Sequence, residues 1–113
     1  MSTYKIQESF NCNGTCLQGY YNANYHTLVE ILGEPHYTET SGDGKVDVEW
    51  NLKVTDNFTD ESYDVTIYNW KDYDGGNHCR NASTYEWHIG GKSRMSAVVL
   101  KDALNELIME EVA

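Results

Sequence analysis

The chain of 113 residues has no apolar run of membrane length. Its first residues, Met1-Ser2-Thr3-Tyr4-Lys5, carry no signal-peptide core. Both absences lead to the expectation of a cytosolic protein. Cysteine is sparse and odd in number: Cys12, Cys16 and Cys79 describe no disulfide scaffold and are expected to be reduced thiols. The patterns Asn13-Gly14-Thr15, Asn57-Phe58-Thr59 and Asn81-Ala82-Ser83 match glycosylation acceptors, but without secretion they follow from a composition rich in Asn and Thr. Positive charge is scarce, with 8 basic against 18 acidic residues and a net charge of −10. Such a balance argues against non-specific binding to nucleic acid or anionic membranes. It suits a soluble, self-repelling protein or one that shows an acidic surface to a basic partner. Repeats, low-complexity tracts and linkers are also missing, so a single domain with one modest core is expected.

The few basic residues are clustered. Lys71, Arg80, Lys92 and Arg94 are half of them, and His78 and His88 fall in the same stretch. Within it, Tyr85-Glu86-Trp87-His88-Ile89-Gly90-Gly91-Lys92-Ser93 reads as a strand entering a helix through a glycine pair. Free backbone N–H groups, a lysine and a hydroxyl at a helix start favour anions. A capped turn with nothing bound explains the same residues equally well.

Periodicity supplies the fold. Tyr4 to Phe10 alternates as a first strand, and Asn11 to Gly19 reads as a polar loop that can hydrogen-bond but brings no charge. Tyr25, Leu28, Val29 and Leu32 keep helical spacing, with Asn24 to cap the start and Gly33 before Pro35 to stop it. Val46, Val48, Trp50, Leu52 and Val54 alternate strictly with polar residues, which describes a half-buried strand. Tyr63, Val65 and Ile67 repeat the pattern, and the two should form a hairpin. After a loop at 72–84, Tyr85, Trp87 and Ile89 make another strand. From Arg94, the stripe Ala97, Leu100, Ala103, Leu104, Leu107 and Ile108 defines the only long amphipathic helix, with Ser93 as its natural cap. The expected fold is α+β in the order β-α-β-β-β-α. It has a four-stranded, mainly antiparallel sheet and two helices on one face.

Chemistry is mostly excluded by spacing. Asp72 and Asp74 with His78, Cys79 and His88 match no metal-ligand pattern, so no metal and no cofactor are expected. Gly91-Lys92-Ser93 resembles the end of a phosphate-binding P-loop, but Glu86 stands where its first glycine belongs. Cys16 or Cys79 as nucleophile would need a histidine placed by the fold. What survives is a binding reading. Trp70, Trp87 and nine tyrosines exceed the needs of so small a core, and aromatic faces beside Lys71 and Lys92 suit a small anionic nucleotide. Trp50 and Trp87 also fit simple core positions, whereas Trp70, at a strand end, is expected at the surface.

Five segments in order resemble one family. They are Asn13-Gly-Thr-Cys-Leu-Gln-Gly-Tyr20, Leu28-Val-Glu-Ile-Leu-Gly-Glu-Pro35, Val48-Glu-Trp50, Thr66-Ile-Tyr-Asn-Trp-Lys71 and Trp87-His-Ile-Gly-Gly-Lys-Ser93. Together they cover most of the chain and resemble small proteins abundant in tailed phages and viral metagenomes, a family associated with anti-CBASS sponges. The resemblance implies a non-enzymatic homo-oligomer in the cytoplasm of the infected bacterial host. Such proteins bind cyclic dinucleotide alarm signals without cleaving them and so serve immune evasion. It carries ligand contact onto Asn13, Thr15, Gln18 and Tyr20 in the first loop, onto Trp70 and Lys71, and onto Trp87, His88, Gly90, Gly91, Lys92 and Ser93. Cys16, in place of the serine of that pattern, and the long 72–84 loop are departures that bear on ligand preference. Three other readings stand beside it: an acidic DNA mimic that inhibits a nuclease or CRISPR effector, a small phosphodiesterase using His88 or His78, and a structural virion protein.

Overall fold

The computed structural model describes residues 2–112. Its elements are β1 (Tyr4–Glu8), β2 (Cys16–Ala23), α1 (Tyr25–Leu32), β3 (Glu49–Asp56), β4 (Ser62–Tyr68), α2 (Asn77–Asn81), β5 (Tyr85–Gly91) and α3 (Arg94–Val112). They form a single α+β domain whose sheet is antiparallel throughout, in the order β1-β3-β4-β5-β2.

The expectation of four strands and two helices therefore needs correction to five and three among the described residues. The loop expected to run to Gly19 ends at Thr15, because Cys16–Ala23 pairs with β5 along its length. A register shift between Leu17 and Gly19 breaks the alternation that would have announced this strand. Gly19 lies close under α3: a side chain there would come within 3.2 Å of Ala97 Cβ. The other addition, α2, is one short turn behind Gly76, which sits at φ 91° where glycine is favoured.

Two-residue alternation divides the sheet into a covered and an open face. Trp50, Leu52 and Val54 of β3, Val65 and Ile67 of β4, and Trp87 and Ile89 of β5 are buried under the helices with Leu28, Ala97, Leu100, Ala103 and Leu104. The two tryptophans meet edge to face at 5.5 Å. Each indole N–H is satisfied, Trp50 donating to Gly33 O at 2.9 Å and Trp87 to Ala23 O at 3.1 Å. α1 is capped as its sequence dictates: Asn24 Oδ1 accepts from His26 N–H, and Gly33 closes the helix at φ 85°. Gly91 faces the helices and lets the first turn of α3 settle on the sheet, since a Cβ there would meet Ser96 Cβ.

A buried polar knot fixes the end of β4. Asn69, fully buried, accepts from the backbone N–H groups of Asp47 and Val48 and donates to the carboxylates of Asp47 and Asp72. The Tyr85 hydroxyl donates to Asp72 and accepts from Trp70 N–H. Burial and the Asp72 contact push the Tyr85 phenol well above its usual range, so it remains a donor.

β1 and β2 are consecutive in the chain yet lie at opposite edges of the sheet. Glu8, Leu52, Val65, Gly91 and Cys16 form one row across all five strands. Residues 9–15 follow that row over the open face, a crossing of about 19 Å for a segment that reaches at most about 25 Å. The strap is pinned along its course. Ser9 Oγ donates to Asp64 at 2.6 Å, Lys92 Nζ donates to Asn11 O at 2.8 Å, and Thr15 Oγ1 donates to Cys12 O at 2.9 Å.

Candidate functional site

The open face beyond the strap carries the aromatic residues that the core does not use. Tyr20 on β2, His88 on β5 and Tyr68 on β4 project from neighbouring strands, and Trp70 follows Tyr68 two residues later. His88 is the centre of the bed, 4.9 Å from the Tyr20 ring, 5.5 Å from Tyr68 and 5.9 Å from Trp70. Burial holds its imidazole below the usual histidine value, against the opposing pull of Glu86 and Asp72, so the ring is neutral at pH 7. A neutral His88 adds a flat, uncharged face to three aromatic ones, and its Nδ1 is buried without a hydrogen-bond partner.

Cations gather at one end of the bed. Lys45 Nζ and Lys71 Nζ lie 5.7 and 5.6 Å from the Trp70 ring centroid, within cation–π range. Backbone geometry brings them together: Lys71 adopts φ 57°, a left-handed conformation costing about 1–2 kcal/mol, while its N–H donates to Lys45 O at 2.8 Å. Asn69, immediately before Trp70, anchors this turn from beneath.

Gly90 makes the hollow at the foot of the bed. It faces away from the helices, and a Cβ there would collide with Thr66 Oγ1 and lie 3.4 Å from Tyr68. The glycine pair is thus split between the two faces of the sheet, Gly91 serving helix packing and Gly90 an open groove. That groove, about 440 Å³, is lined by Thr15, Leu17, Glu49, Tyr68, Trp70 and His88 with Gly90. A second cavity of about 420 Å³ adjoins it under the strap, sharing Thr15, Val46, Glu49 and Thr66. Each is of the size that holds a small ligand.

Of the positions singled out in the sequence, Tyr20, Trp70, Lys71, His88 and Gly90 come together at the groove. Asn13 and Thr15 line the adjoining cavity. The others are placed elsewhere. Trp87 is fully buried in the core, on the face that its alternation with Tyr85 and Ile89 dictates. Gln18 Nε2 donates to Gly91 O at the edge of the sheet. Ser93 Oγ lies 3.2 Å from Ser96 Oγ at the start of α3, on the helix side. Lys92 returns to the open side, but its ammonium is occupied by Asn11 O and lies 3.7 Å from Asp64. Its role is to hold the strap, with the Asp64 carboxylate beside its charge.

Sequence reasoning missed Lys45, Glu49, Asn51, Thr66 and Tyr68. The signal for most of them was present: Glu49 and Asn51, and Thr66 and Tyr68, occupy the polar half of two alternating strands, a half read only as wet surface. Glu49 is half-buried, and burial raises its carboxyl above its ordinary value against the opposing effect of the neighbouring Asn51 amide. Of the thiols, Cys16 lines the groove and Cys12 the cavity under the strap. Cys79 is fully buried with its pKa pushed up to about 12, chiefly by burial, which leaves it an unreactive core thiol. No group of three or more His, Cys, Asp and Glu placed to hold a metal occurs among the described residues. No helix among them is long and apolar enough to cross a membrane.

Comparison of the chain with protein-family models, with curated proteins and with solved structures returns no match. Function therefore has to be argued from the open face itself.

Proposed function

We propose that the protein binds and sequesters a small anionic nucleotide, of the cyclic dinucleotide class, on the open face of its sheet and does not cleave it. The observation that carries this reading is the aromatic bed of Tyr20, His88, Tyr68 and Trp70 with Lys45 and Lys71 on its outer ring. Bases stack on such surfaces with about 1–3 kcal/mol each, and the lysines offer the local positive charge that a phosphate needs on a chain of net charge −10. The Gly90 hollow lets a ring approach the sheet closely. As a phage protein of the kind it resembles, it would act as a homo-oligomeric sponge for a defence signal in the host cytoplasm. Light scattering in solution reads that assembly directly.

A thermal-shift series with cyclic dinucleotides tests binding. A ligand at 100 times its Kd stabilises the fold by about 2.7 kcal/mol, and Trp70→Ala should abolish the shift. Chromatography of the recovered ligand should return it intact. No shift with any cyclic dinucleotide would refute the reading, and product accumulating with time would favour a phosphodiesterase instead.

A further inference from the structure

Between Glu8 and Glu30 the chain carries no Asp, Glu, Lys or Arg, and the strap lies at the start of this uncharged stretch. Its turn holds the only Asn-Gly step of the sequence, Asn13-Gly14. An asparagine before glycine is chemically labile. The backbone nitrogen that follows can attack the side-chain amide carbon, and glycine has no Cβ to hinder the approach. A fold suppresses this reaction by tying down either group. At Asn57 both are tied, Nδ2 donating to Ser2 O at 2.9 Å and Phe58 N–H to Asp56 at 2.8 Å. At Asn81 they are tied as well, Nδ2 donating to Asn77 O at 2.8 Å and Ala82 N–H to His78 O at 3.0 Å. Asn13 differs: among the described residues, neither its amide nor the Gly14 N–H has a hydrogen-bond partner. Both residues are exposed, Gly14 sits at φ 82°, and a side chain there would meet nothing within 4 Å. The turn is closed through Thr15, whose N–H and Oγ1 donate to Cys12 O at 3.3 and 2.9 Å. The two reacting groups are therefore free to meet on an exposed loop tip.

We propose that Asn13 is a site of spontaneous deamidation in the folded protein. The Gly14 nitrogen bonds to Asn13 Cγ and gives up its proton, the amide C–N bond breaks, and ammonia leaves. A five-membered succinimide is left, and water opens it. Addition of water at Cγ gives aspartate. Addition at the main-chain carbonyl gives isoaspartate, which routes the backbone through the side chain and lengthens the strap by one methylene. Either product puts a carboxylate on a strap that had no charge, in the lining of a cavity that already holds Glu39, Asp47 and Glu49. An anionic ligand on this face then meets added repulsion, so binding weakens as the molecule ages. The modification itself is independent of the nucleotide reading; only its effect on binding rests on it.

Incubation of the full chain at physiological temperature and mildly alkaline pH, natively and in guanidinium chloride, tests it, with peptides mapped by mass spectrometry. In the native protein the peptide holding Asn13 should gain one dalton at least tenfold faster than those holding Asn57 and Asn81. Isoaspartyl methyltransferase should label it. Its native rate should lie within tenfold of its rate in denaturant, because the fold ties neither reacting group. Asn13→Gln, which would have to close a six-membered ring, should remove the label. Protection of Asn13 by the native fold beyond tenfold, or faster conversion at Asn57 or Asn81, would overturn the proposal. In a thermal-shift titration Asn13→Asp should bind cyclic dinucleotide more weakly than wild type. Equal binding would overturn the loss of affinity and leave the modification standing, whereas binding by neither chain would overturn the nucleotide reading alone.

Discussion

Replacing Asn69 by alanine should be among the most damaging single changes in the molecule. The side chain is fully buried and makes four hydrogen bonds, at 2.7 and 2.9 Å from the N–H groups of Asp47 and Val48 and at 3.0 and 3.2 Å to the carboxylates of Asp47 and Asp72. Truncation leaves two backbone donors unpaired and deprives a carboxylate that is 2% exposed of one of its partners. Unpaired buried donors cost about 1–3 kcal/mol each, and the charged contacts add to that. A loss of about 3–5 kcal/mol is expected, a large part of the roughly 5–15 kcal/mol typical of a whole domain. Urea unfolding followed by circular dichroism reads it as a lower midpoint at unchanged slope. Asn69→Asp separates packing from charge. It keeps the acceptor but turns an oxygen toward Asp47 and Asp72, so the new carboxyl holds its proton more tightly folded than unfolded. Its stability is then fully present below the unfolded value, about pH 3.9, and is lost as pH rises through the raised folded value. The deficit of Asn69→Asp should therefore widen from pH 4 to pH 8. A loss below about 1 kcal/mol for Asn69→Ala, or a pH-independent deficit for Asn69→Asp, would refute the reasoning.

Gly90→Ala should destabilise the fold by about 1–3 kcal/mol through its clash with Thr66, less about 0.4–1 kcal/mol from a stiffer unfolded chain. Adding Thr66→Ala should restore the melting temperature but not cyclic dinucleotide binding, because a methyl group still stands in the hollow. Glu49→Gln should melt above wild type at pH 8 and level with it at pH 4. Glu49 holds its proton more tightly folded than unfolded, so its contribution is present below the unfolded value and falls away as pH rises through the raised one. An unchanged melting difference across that range would exclude burial as the cause.

The elements that could be read from the sequence are those whose signals are local. Asn24, Gly33 and Pro35 bracket α1 within a dozen residues, and the alternation through Trp50 and Ile67 carries its own register. β2 was hidden because an edge strand with Gly19 and a register shift has little periodicity, and its pairing partner lies far along the chain. The groove was legible only in pieces for the same reason. Tyr20, Tyr68 and His88 become neighbours solely because β5 sits between β4 and β2. Parity explains the rest: Trp87 shares its face with Ile89 and goes to the core, while His88 between them reaches the site. Lys92 went astray because its partners, Asn11 and Asp64, are supplied by the strap and by β4.

The strap also sets an order of events during synthesis. β2 leaves the ribosome long before β5, its pairing partner, with Gln18 and Gly91 separated by 73 residues. At roughly 5–20 residues per second, the edge strand with its exposed Leu17 and Tyr20 waits on the order of 4–15 seconds for a neighbour. β1 must likewise wait for β3. Folding is thus expected to nucleate in the β3–β4 hairpin and to finish when the strap is laid across it. The open face of the sheet is the last part of the molecule to be completed.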